Sequence, residues 1–195
     1  MTTATAPIPV SPTRPGEVDN RAAYIGFGLA YLIGHGAAAI STGTAPLVAL
    51  PTWLPISLLA IGLVTGTVCA TVAALRAQRA MPETEALSGK LLGLSWVVGF
   101  AALAVTITGL TATLDSPGLQ SVLWPAGSSL IVGLIYLAEG AARRNVLHYS
   151  LGAWLALVAG VALCFGASGP FWVLAVAGGI GYAIATILEF RRLAH

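Results

Sequence analysis

The nine Lys and Arg residues of this chain gather in four places, separated by long apolar stretches. Arg14 and Arg21 precede the first stretch, and Arg76, Arg79 and Lys90 bracket the link between the second and third. Arg143 and Arg144 follow the fourth, and Arg191 and Arg192 follow the sixth. The remaining links, near residues 43–52, 114–121 and 167–170, contain no Lys or Arg. Positive charge is retained on the cytoplasmic side of a membrane. The pattern therefore predicts an all-α polytopic membrane protein of six transmembrane helices, with both termini cytoplasmic.

Composition agrees with a bilayer as the main solvent. The chain is 57% apolar and 8% charged, whereas a soluble domain carries about a quarter of its residues charged. Mean hydropathy is +0.88. Six spans of roughly 20 residues use most of the 195 residues, which leaves no room for a folded extramembrane domain. The net charge of +2 reads as a topology signal, and it forms no basic patch suited to nucleic acid. Residues 1–20, rich in Pro, Thr and Ala, are expected to be a disordered cytoplasmic tail and lack the short basic start of a signal peptide. Residues 21–192 form the membrane domain, and 193–195 are the C-terminal end.

The spans are expected at 22–42, 53–75, 91–113, 122–142, 147–167 and 171–190. Trp53, Trp124 and Trp172 open the even-numbered spans, each followed nine residues later by Gly62, Gly133 or Gly181. Arg143-Arg144 and Arg191-Arg192 then follow the last two glycines. In the odd spans GLAYLIG at 28–34 echoes GLSWVVG at 93–99, with LGAWLALVAG at 151–160 as a looser copy. The unit is a hairpin written three times, at 22–75, 91–142 and 147–190. Tryptophans and arginines at opposite ends of such helices serve as interfacial anchors. Pro55 and Pro125 are expected in first turns, where a missing amide proton is harmless.

Small residues recur every fourth position: Gly26, Ala30, Gly34 and Ala38 in span one, and Gly62, Gly66, Ala70 and Ala74 in span two. Gly152, Ala156, Gly160 and Cys164 repeat the pattern in span five, as do Ala175, Gly179 and Ala183 in span six. Close helix packing in lipid relies on such faces. Gly34, Gly62, Gly133, Gly179 and Gly181 are the packing positions expected to matter most. Cys69 and Cys164 lie at different depths and read as packing residues without a disulfide.

Chemistry-bearing residues are few. His35, His148 and His195 fall on different elements without carboxylate or thiolate companions at ligand spacing, so no metal site and no cofactor are expected. No Ser-His-Asp set is visible, and no catalytic residue is assigned. An ionisable group at membrane depth is a functional candidate by default, which singles out His35 and Glu139 as candidate solute or pH-sensing residues. The bland alternatives are a neutral His35 hydrogen-bonded across a helix interface and a Glu139 paired with Arg143 one turn away. Glu189 is read in the same way, beside Arg191 and Arg192. Thr106, Thr108, Thr111 and Thr113 are candidates for a polar lining, although membrane threonines usually bond their own backbone.

With its three hairpins, the glycine-rich odd-span stretches quoted above and the Gly62, Gly133 and Gly181 positions with their trailing arginines, the chain resembles the HdeD family of six-span bacterial membrane proteins across residues 22–192. That resemblance implies a multi-pass protein of the bacterial inner membrane, non-enzymatic, acting in membrane stress or as a partner subunit. It implies no catalytic residues, and the tail lies outside it. The competing expectation is an oligomeric channel or transporter for a small, weakly polar solute such as urea, an amide or a weak acid. The urea-channel likeness lies in size and span count, and the Asn-Pro-x-Pro-Leu-Gly motif of acetate-uptake proteins is absent. The bilayer is the expected partner in either case, with a homo-oligomer or a membrane partner subunit possible. A packed interior favours the first reading; a continuous polar path favours the second.

Overall fold

The computed structural model describes residues 17–79, 83–166 and 168–194, so the expected disordered tail lies almost wholly outside the described residues. Six helices follow one another: α1 Arg21–Ser41, α2 Trp53–Arg79, α3 Glu83–Thr113, α4 Leu119–Ala142, α5 Val146–Ala162 and α6 Gly169–Arg192. Among the described residues no strand occurs. All of these helices except α5 are long and apolar enough to cross a membrane.

The exception is α5, which the sequence predicts to run to residue 167. It stops at Ala162 after 17 residues, about 25 Å of helix. Its last turn tightens as Leu163, Cys164 and Phe165 donate to carbonyls only three residues back, ahead of Gly166. Pro125 also departs from expectation. Because α4 begins at Leu119, the proline falls inside the helix, in its second turn.

Burial orders the bundle. In α1, 61% of the apolar window is buried, against 11% in α2 and 6% in α3, so α1 is central and α2 and α3 are peripheral. Glycines decide how α1 meets α2. A Cβ on Gly26 would stand 2.7 Å from the Gly66 amide nitrogen, one on Gly62 would stand 2.7 Å from the Ala30 Cα, and one on Gly34 would stand 2.6 Å from the Leu59 Cα. These are backbone-to-backbone contacts that only glycine permits.

The most extensive pairing joins α4 to α5, which the repeat assigns to different hairpins. Gly133 and Gly152 face each other with backbone approach, and Gly140 lies against the Tyr149 backbone. The link is short: Arg144 adopts a positive φ of 53°, and the Asn145 side chain caps α5 by accepting from the His148 amide at 3.0 Å.

Both α1 and α6 contain a wide π-type turn, at Ala30–His35 and Leu174–Gly178, and the two turns pack on one another. The Tyr31 ring covers Gly178, and Leu32 covers Gly179. Periodicity in the sequence carries no sign of these turns, which occur frequently at functional positions.

Candidate functional site

The densest polar cluster sits at the end of the bundle where α4 ends and α5 begins. Its centre is His148, 5% exposed, three residues into α5 and held there by the Asn145 cap. Nε2 of His148 lies 3.2 Å from Glu139 Oε2, and its Nδ1 lies 2.6 Å from the Tyr24 hydroxyl. Trp96 of α3 donates its indole N–H to Glu139 Oε1 at 3.2 Å. Tyr136 packs on the imidazole with ring centroids 4.1 Å apart. Four helices thus contribute to one site.

Donor and acceptor roles follow from chemistry. An ionised carboxylate only accepts, and a neutral imidazole has one N–H and one lone pair. Glu139 therefore takes the N–H of Nε2, and Nδ1 accepts from Tyr24. The imidazole thereby links α4 to α1 through its two ring nitrogens.

This arrangement corrects two expectations. Glu139 does not pair with Arg143; its partners are His148 and Trp96, and one terminal nitrogen of Arg143 is buried without a hydrogen-bond partner. His148 does have a carboxylate companion. The signal was present in the sequence: a short turn at 143–145 brings together residues about one helical turn away on either side, and Glu139 lies four residues before it and His148 three after it.

A second network closes the same end. Glu189, fully buried, accepts from Arg192 at 2.8 Å and from the Asn20 amide at 3.0 Å. Arg192 also pairs with Glu17 and donates to the Val18 carbonyl. Of the two arginines expected beside Glu189, Arg192 makes the ion pair. Asp19 binds Arg21, whose guanidinium holds the carboxyl below its ordinary value of 3.8.

His35 is buried in the π-type turn of α1, between Tyr31 at 4.9 Å and Phe171 at 6.3 Å between ring centroids. Its Nδ1 lacks the cross-helix hydrogen bond that the sequence suggested. Tyr24, which touches the Glu139 cluster, lies eleven residues earlier on α1, roughly 16 Å along the axis. His35 and Glu139 therefore belong to separate places.

The α3 threonines form no common lining. Thr106, Thr108 and Thr113 are exposed on the outer face of the bundle, and Thr111 is buried. Thr111 and Thr113 donate to the carbonyls of Ile107 and Gly109, both at 2.8 Å. Trp53, Trp124 and Trp172 are all at least one-third exposed near the starts of α2, α4 and α6. The packing glycines all lie in tight contact: Gly34, Gly62 and Gly133 against backbone, Gly179 and Gly181 against the side chains of Leu32 and Trp154. Both cysteines are free thiols. Among the described residues no three His, Cys, Asp or Glu side chains gather as a metal site.

No protein-family model, no curated protein and no solved structure matches this chain.

Proposed function

We propose that this chain is a small, non-enzymatic six-span protein of the bacterial inner membrane, HdeD-like in its three-hairpin plan, acting as a packed bundle in membrane stress or as a partner subunit. In this reading both termini, and with them the Glu139 cluster, face the cytoplasm. The close packing of Gly62 and Gly133 at matching positions of α2 and α4 supports the repeat.

The observation that carries the reading is the filled axis of the bundle. Tyr24, Tyr31, Tyr136 and Tyr182 are all less than 5% exposed. Tyr182 stands 5.1 Å from Tyr31 and 6.3 Å from Tyr24, centroid to centroid. A solute route needs open volume lined by polar groups, and here rings in contact occupy the centre while three of the four candidate threonines face outward. Two apolar grooves, one between α5 and α6 and one between α3, α4 and α5, are partly open to the surroundings of the bundle.

The test is reconstitution into liposomes with a panel of small neutral and weak-acid solutes. Wild type is expected to give no permeation above empty liposomes at neutral or acidic pH. A flux that His35→Leu or Glu139→Gln abolishes without unfolding the protein would replace this reading with the channel.

A further inference from the structure

An apolar groove of about 270 Å³ runs between α5 and α6, walled by Leu147, Leu151 and Trp154 on one side and Ile180, Ile184 and Leu188 on the other. Its origin is Gly181. The equivalent glycines of α2 and α4 bring helix backbones together, but at Gly181 the neighbour is the Trp154 indole, 2.6 Å from where a Cβ would stand. That ring donates to the Ala177 carbonyl at 2.8 Å and fills the interface, so the two helices stay apart below it. From Ile180 to Leu188 the groove follows α6 for roughly 12 Å.

Charge continues the groove at its inner mouth. Seven residues beyond Ile184, on the same face of α6, comes Arg191, which is exposed. Arg144 is exposed in the turn that leads into Leu147. Neither forms a salt bridge among the described residues. The carboxylates of this end are already engaged: Glu139 by His148 and Trp96, Glu189 by Arg192 and Asn20, and Asp19 by Arg21. Arg144 precedes the groove residue Leu147 by three positions, and Arg191 follows the groove residue Leu188 by three, which puts both basic residues toward one end of the slot.

We infer that this groove binds one acyl chain of an anionic phospholipid, with the lipid phosphate held by Arg191 and Arg144. The apolar slot selects a lipid over a free phosphate. The arginines select an anionic head, because each basic residue near the membrane surface strengthens attraction to anionic lipid by roughly fivefold. A second copy of the chain fits less well, since two-fold packing on this face would set the same arginines against each other.

The experiment is native mass spectrometry of the full chain, titrated with dioleoyl-phosphatidylglycerol or dioleoyl-phosphatidylcholine. Wild type is expected to retain one phosphatidylglycerol with a preference of roughly 30-fold over phosphatidylcholine. The double substitution Arg144→Gln and Arg191→Gln should bring both lipids to the same retention. Ile184→Trp fills the groove from the α6 side and Ser150→Phe from the α5 side, and either folded variant should lose the tightly held lipid. Equal retention of both lipids by wild type, or unchanged phosphatidylglycerol retention in a folded groove-filling variant, would overturn the inference. So would a wild-type dimer that excludes lipid and that Ile184→Trp dissociates.

Discussion

Nε2 of His148 lies 3.2 Å from Glu139 Oε2, on the two sides of a turn only three residues long. The contact ties the C-terminal end of α4 to the first turn of α5, and Tyr24 extends the tie to α1. Removing one member of a buried ionisable pair leaves the other uncompensated, which costs far more than the pair itself contributes. His148→Leu is therefore expected to destabilise the bundle by about 2–3 kcal/mol, toward the low end because Glu139 keeps its Trp96 partner. Adding Glu139→Gln to His148→Leu should recover part of that loss. Denaturant titration in mild detergent measures both; additive losses would mean that the two residues are not coupled.

The glycine contacts predict a graded response. Gly34 faces the Leu59 backbone, whereas Gly179 faces the movable end of the Leu32 side chain. Gly34→Leu should cost about 3 kcal/mol and Gly179→Leu about 1 kcal/mol, as overpacking does where the neighbour can or cannot give. Gly93 has open space around its Cβ position, so Gly93→Ala should be neutral or stabilise the helix by up to roughly 1 kcal/mol. Thermal melts of the three variants in one detergent test the order.

Outside the membrane helices, Asp19 offers a pH readout. Its carboxyl is held below the ordinary 3.8, chiefly by the hydrogen bond from Arg21. A depressed carboxylate contributes stability above its unfolded value and loses it as pH falls through the folded one. Carbon-13 titration of the Asp19 carboxyl should give a midpoint below 3.8 in wild type. In Arg21→Gln the midpoint should return to the ordinary range, and an unchanged midpoint would remove Arg21 as the cause.

The charge distribution predicts orientation. Reporter fusions after residues 79, 144 and 192 should behave as cytoplasmic, and a tag in the 114–121 loop as external. An external signal after residue 144 would contradict the six-span threading. Reversal should need several substitutions together, because basic residues lie in every inner segment.

The sequence by itself determined the all-helical character and the run of long apolar helices, and of its five expected packing glycines Gly34, Gly62 and Gly133 meet backbone while Gly179 and Gly181 meet side chains. These are local properties: apolar length, charge between segments and the absence of a side chain all act without knowing the neighbour. For α3, tertiary structure alone decided which face points inward. In water that choice follows the apolar stripe, but lipid is as apolar as the core, so an almost uniformly apolar helix carries no rotational preference of its own. That is why the α3 threonines read as a lining yet face outward, and why Glu139 was assigned to Arg143 along its own helix. Its partner came from across the α4–α5 turn, where glycine packing sets the rotation and buried polar groups must find each other.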